Sequence, residues 1–196
     1  MYKNLLKGNE TMKISHGKRD KLKELVLYIS EQSKDDCYFG LTKLNKILFL
    51  IDFNTYAMRG ESLTGCKYVH RQNGPVCKEL LGVLDELKSS GRAEIPEAVC
   101  YGYTQRRVQP LTGANTSLFS DEEISFISSI IAQIKSMTAT QVSDWTHTLK
   151  PWQLTEEGEE IPYYSIYVLR DHPLGRAGRS WATKELAKLK ESGNVP

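Results

Sequence analysis

The residues best suited to chemistry fall in one decapeptide, SDWTHTLKPW (residues 143–152), which holds a serine, an aspartate, a histidine and two tryptophans. On a helix, Ser143 and His147 are four apart and share a face, and Asp144, three before the histidine, is within its reach. These are the residue types of nucleophilic hydrolysis, in which a histidine takes the serine proton and an acid orients the ring. That chemistry also needs a serine on a strained turn and donors aimed at the oxyanion. No GxSxG elbow surrounds Ser143, and no glycine lies beside it to offer backbone N–H groups. Consecutive residues of one helix therefore read as a tether, with His147 hydrogen-bonding its helix to another element. Trp145 shares a stripe with Val142 and Leu149 and reads as core. Trp152, just after Pro151, is placed to cover the core as a lid, and its indole N–H needs an acceptor if buried.

Other patterns with chemical meaning are weaker. Asn73-Gly74-Pro75-Val76 could expose backbone donors to an anion at a helix start. No GxxxxGK[ST] or GxGxxG accompanies it, so it reads as a stiff turn, with Pro75 opening the helix that follows. The four cysteines, Cys37, Cys66, Cys77 and Cys100, are too widely and unevenly spaced for a CxxC knuckle and read as free thiols. A zinc site from His70 with these cysteines would lack the close ligand pairs that structural zinc uses. No metal and no cofactor is expected, and the chain does not read as an enzyme.

The elements that must position these residues are mostly helical. Leu22, Leu25, Val26 and Ile29 mark one buried face of a helix over about 18–32. In KLNKILFLIDFNTYAMRG, Leu44, Ile47, Leu48, Phe49, Leu50, Ile51 and Phe53 cover almost the whole circumference, with Gly60 as the stop. A helix that is apolar nearly all round has to be central. LTGCKYVHRQNGPV reads as a short strand or extended loop, residues 75–90 as a helix with a stripe of Leu80, Leu81, Leu84 and Leu87, and 92–110 as a pair of strands or a hairpin around Val99, Tyr101, Tyr103 and Val108. Ser120–Glu123 and Thr138–Gln141 are capping boxes that open two further helices. TEEGEEIPYYSIYVL reads as a short helix or a turn into one, and WATKELAKLK as a helix in the tail. The expected fold is mainly α (α+β): a helical domain around a central buried helix with a small β-hairpin or short sheet. Residues 18–169 are the expected domain, between an N-terminal tail (1–17) and a C-terminal extension (170–196).

Composition narrows the function classes. The chain has 196 residues, 40% hydrophobic and 26% charged, which suits an independently folding domain. No apolar run reaches membrane-spanning length, and the polar, charged N-terminus lacks the apolar region of a secretion signal, so a cytoplasmic protein is expected. The net charge of +2 is unevenly spread: residues 1–23 carry seven Lys/Arg against two acids, and 116–160 carry eight acids against two lysines. That asymmetry fits a protein partner with a patterned surface better than a nucleic acid. The helix–helix–hairpin order, with Arg106 and Arg107 in the hairpin, is also that of a winged-helix DNA-binding regulator. Against it, the would-be recognition helix balances Lys78 and Lys88 with Glu79, Asp85 and Glu86.

In succession, Lys43-Leu44-x-Lys46-Ile47-Leu48-Phe49-x-x-Asp52, Leu63-Thr64-Gly65-x-x-Tyr68, Asn73-Gly74-Pro75-Val76, Ser143-x-x-x-His147, Trp152 and Ile161-Pro162-Tyr163 resemble the SocA-like antitoxin, or Panacea, domain from about Tyr28 to Tyr167. The residue before Gly74, commonly aromatic or small in that family, is Asn73 here. The resemblance implies a bacterial or phage antitoxin that neutralises a cognate toxin by direct contact, in the founding case as a proteolytic adaptor delivering the toxin to a protease. Lys43, Tyr68, Arg71, His147 and Trp152 are the candidate partner-binding residues. Leu44, Asp52, Gly65, Gly74, Pro75, Ser143 and Pro162 are the expected structural motif.

Overall fold

The computed structural model describes residues 15–168; the tail helix expected at WATKELAKLK lies outside them. Two long helices begin the fold, α1 (His16–Gln32) and α2 (Leu41–Arg59). The seven apolar residues named for α2 are all at most 3% exposed, and Gly60, at φ 74, closes the helix by donating its N–H to Tyr56 O. Only a residue tolerant of the left-handed region ends a helix this way. α2 touches α1 and, further along the chain, α4 (Asp121–Ile134), α5 (Ala139–His147) and the 3-10 turn Tyr163–Tyr167. It is the central helix that its sequence requires.

The capping boxes form as written. Ser120 accepts from Glu123 N and Thr138 from Gln141 N, while the Glu123 and Gln141 side chains accept from the cap backbones in return. Each box satisfies two otherwise orphaned donors at a helix start.

The β structure is small and mostly antiparallel pairs. β1 (Tyr68–Val69) is the middle strand between β2 (Val76–Cys77) and β7 (Glu160–Ile161), with Tyr68 opposite both Cys77 and Ile161. This pairing corrects the helix expected from Pro75. Val76 and Cys77 are extended on the ladder, and Cys77 N is fixed by Asn45 Oδ1 at 2.9 Å, so the helix α3 begins only at Leu80 and runs to Ser89. The expected hairpin is present as β4 (Glu97–Cys100) and β5 (Tyr103–Arg106), framed by a second pair, β3 (Ala93–Glu94) with β6 (Gln109–Pro110). Tyr101 and Gly102 both have positive φ, 47° and 83°, as a two-residue turn that matches strand twist demands.

The hairpin brings Cys100 to Cys37 in the α1–α2 loop, where the two form a disulfide across 63 positions of sequence. The reading of all four cysteines as free thiols is thereby corrected; Cys66 and Cys77 remain free and buried. Sequence spacing carries no information about this pair, because the hairpin alone creates its proximity. Gln105 Nε2 also donates to Cys37 O at 2.6 Å, which adds a hydrogen bond to the covalent link between loop and hairpin.

Among the described residues, several of these charges are paired with each other or with neighbouring elements. Lys18 pairs with Glu61, Arg19 and Lys23 with Glu86, and Lys21 and Arg59 with Glu123. Arg92 grips Glu24 through both guanidinium nitrogens, at 2.5 and 3.1 Å. Arg19, Lys21 and Lys23 of α1 thus act as ties to α3 and α4. Among the described residues no helix is long and apolar enough to cross a membrane.

Candidate functional site

Three polar clusters are built on α2, and they differ in how completely they are satisfied. Near its C-terminal half, Asp52 is fully buried, and its carboxylate accepts from Thr64 N (2.8 Å), Thr64 Oγ1 (2.5 Å) and Tyr68 Oη (2.8 Å). Burial raises the Asp52 pKa above the ordinary carboxylate value, against the pull of these donors. Gly65, at φ 72, supplies the turn that brings Thr64 and Tyr68 to the same carboxylate. Tyr68 sits edge-on to Phe49 and Phe53, and Tyr163, following Pro162 at the start of its 3-10 turn, donates to Cys66 O at 2.6 Å. Tyr68, a candidate contact residue, is therefore a core residue with no exposed surface.

Lys43, another candidate, is equally buried. Its Nζ lies 2.5 Å from Asp36 Oδ2 and donates to Lys135 O (3.0 Å) and Met137 O (2.7 Å), which uses all three ammonium protons. It fastens α2 to the segment between α4 and α5. Leu44, beside it, is core.

The third cluster gathers the remaining candidates around residues 70–76. Gly74 has φ 92, and a Cβ there would lie 2.8 Å from Lys46 Cε and 2.9 Å from both Lys46 Nζ and Thr146 Oγ1. Glycine is thus required twice, by conformation and by space. Lys46 Nζ donates to Pro75 O at 3.1 Å and Ser143 Oγ to Asn73 O at 3.0 Å, so α2 and α5 hold the loop from two sides. Ser143 is the tether; the hydrogen bond expected of His147 is not made. His147 Nε2 and the indole Nε1 of Trp152 are both buried without a hydrogen-bond partner. The rings are held through their faces. Trp152, in the short helix α6 (Lys150–Gln153), is stacked between His70 (4.1 Å between centroids) and His147 (4.0 Å). Burial, and then the nearby Lys46, push the His147 pKa down, which keeps the ring neutral at pH 7.

Ser143 and His147 are not arranged as a nucleophile and its base. Ser143 is bonded to a carbonyl, and no Ser143–His147 hydrogen bond couples a nucleophile to a base. Nor does His70 join the cysteines in a metal site: it stacks on Trp152 and its Nδ1 meets Thr155 Oγ1 at 3.2 Å. Among the described residues, the metal-ligating side chains that do cluster are Cys66, Cys77 and Glu79. Their sulfurs are 2.7 Å apart, whereas two thiolates on one tetrahedral zinc stand roughly 3.8 Å apart given Zn–S bonds of about 2.3 Å.

Of the five candidate contact residues, Arg71 alone is freely exposed, paired loosely to Glu157 at 3.4 Å; His147 and Trp152 are half-buried. Of the two hairpin arginines, Arg107 is committed to the carbonyls of Asp36 (3.0 Å), Ser33 (2.9 Å) and Lys34. Sequence reasoning missed the Asp36 counter-charge, the Cys37–Cys100 bond and the part of His70 in the stack. It names Lys46 within the family motif without giving it a role, although a lysine one turn after Lys43 on a helix with almost no polar face is itself a signal.

The antitoxin SocA-like, Panacea domain model matches residues 44–153, more than half of the chain, and the protein belongs to that family. The matched segment contains most of α2, the residue 70–76 loop, α5 and Trp152, the parts that build the third cluster. Membership suggests an antitoxin role and, in general, a toxin as partner. No curated protein and no solved structure gives a match.

Proposed function

We propose that the protein is an antitoxin that neutralises a cognate toxin by direct contact, with residues 18–169 as the antitoxin unit and α2 as its rigid scaffold. The contact face in this reading is the loop 70–76 with the adjoining α5–α6 corner, where Arg71, His147 and Trp152 lie. The observation that supports it best is that this corner is built from the family-matched segment, with polar loop residues at the surface above the buried helix α2. Loops on a rigid support are where binding residues concentrate. Delivery of the bound toxin to a protease is the further form the activity takes if the protein works as an adaptor.

Co-expression with the product of the adjacent reading frame tests the reading. Growth is restored and the two proteins co-purify if it holds; toxicity without rescue and without a complex overturns it for that pair. For the adaptor form, toxin abundance falls in protease-competent cells and recovers when the protease is deleted. Direct neutralisation leaves toxin abundance unchanged.

A further inference from the structure

Two lysines are buried among the described residues, and only one has a counter-ion there. Lys43 faces Asp36; Lys46, 1% exposed, makes a single side-chain hydrogen bond, to Pro75 O, and no carboxylate lies within ion-pair distance of it. An ammonium carries three donors, and taking one out of water is costly unless an anion and further hydrogen bonds replace the lost hydration.

Lys46 is also one of the residues lining an open cleft of about 310 Å³. Its buried lining is Asn45 and Lys46, and its exposed rim includes Thr42, Arg71, Gln72, Asn73 and Glu157. Asn45 donates one amide N–H to Leu41 O and accepts from Cys77 N, so the donors left for a ligand are its second N–H, those of Lys46 and those of the rim. Arg71 and Glu157 are each more than half exposed and 3.4 Å apart, the kind of surface pair that holds weakly. The volume is at the small end for ligand sites and suits a side chain better than a cofactor.

Resting on the antitoxin reading for its biological occupant, we propose that this cleft is an anion site that takes a carboxylate from the bound protein, an Asp or Glu side chain or a chain end, with Lys46 as the buried counter-charge and Arg71 as the rim contact. The incoming carboxylate displaces Glu157 from Arg71. Burial alone lowers the Lys46 pKa to about 8, the direction expected of an ammonium that lacks its anion. A protein carboxylate entering here would be desolvated next to a fixed cation, where charge-assisted hydrogen bonds are strongest.

The test uses the full chain and sodium acetate as probe, with chloride replacing acetate at constant ionic strength, followed by amide resonances of Arg71 and residues 73–77. Saturable shifts are expected, weakened about tenfold or more in Lys46→Met, the loss of one charge-assisted hydrogen bond, and about threefold in Arg71→Ala, whose exposed site leaves the fold unaffected. Glu157→Gln should tighten binding. Shifts that rise linearly, or that are the same in wild type, Lys46→Met and Arg71→Ala, overturn the proposal while leaving the antitoxin reading intact. In a purified toxin complex, loss of the acetate response identifies the partner as the source of the carboxylate. An acetate response equal to that of the free chain overturns that source.

Discussion

Lys43 and Lys46 stand one turn apart on the same helix, equally buried, and are held in opposite ways. Lys43 has an aspartate and two carbonyls; Lys46 has one carbonyl. The first arrangement closes on itself and reads as structure. The second leaves charge and donors beside an open cleft and reads as recognition. The difference teaches that burial of a charge does not by itself say what the charge is for; the completeness of its partners does.

The largest effect should come from breaking the complete pair. Asp36→Ala strands the Lys43 ammonium inside the fold and should cost about 3 kcal/mol or more, read from urea unfolding. Next, Gly74→Ala forces a Cβ onto Lys46 and Thr146 at positive φ and should cost about 2 kcal/mol, with the amide shifts of Lys46 and Thr146 displaced. Lys46→Met, by contrast, replaces an uncompensated ammonium with an apolar chain of similar length and should change stability by less than about 1 kcal/mol or increase it. A loss as large as that of Asp36→Ala would show that Lys46 is as fully partnered as Lys43, and the contrast would collapse.

The smallest effect sharpens the comparison through pH. With the Lys46 pKa lowered from 10.5 to about 8, the folded chain binds fewer protons than the unfolded chain between those values. The stability of the wild type relative to Lys46→Met should therefore rise as pH climbs through that window. Below it both states hold the proton and the full cost of burying the ammonium remains. A flat difference between pH 8 and 10.5 would contradict the lowered pKa.

Much of this was legible in the chain. The apolar circumference of residues 44–53 demands a central helix, the two capping boxes set their helix starts, and Asn73-Gly74-Pro75 is a turn by its residue types. What was not legible depended on partners distant in sequence. Pro75 has the right chemistry to open a helix, yet pairing of Val76 and Cys77 with β1 outweighs it. Lys43 and Tyr68 have the residue types of a contact surface, and only the fold reveals Asp36 and Asp52 waiting for them. His147 was expected to tie by hydrogen bond; the tie belongs to Ser143, because the histidine ring is taken up by stacking, a geometry that residue spacing does not encode. Cys37 and Cys100 meet only because a hairpin turns at Tyr101-Gly102.

The stack of His70, Trp152 and His147 also has an optical meaning. The indole lies face to face with both imidazoles, at 4.1 and 4.0 Å between centroids, so its emission depends on how those rings are placed. A partner that lifts the loop carrying His70 should change that emission, and one that docks without disturbing the loop should leave it as it is. In a chain where Trp145 and Trp181 are replaced by phenylalanine, the remaining tryptophan would report beside the proposed binding face whether docking is rigid or rearranges the corner.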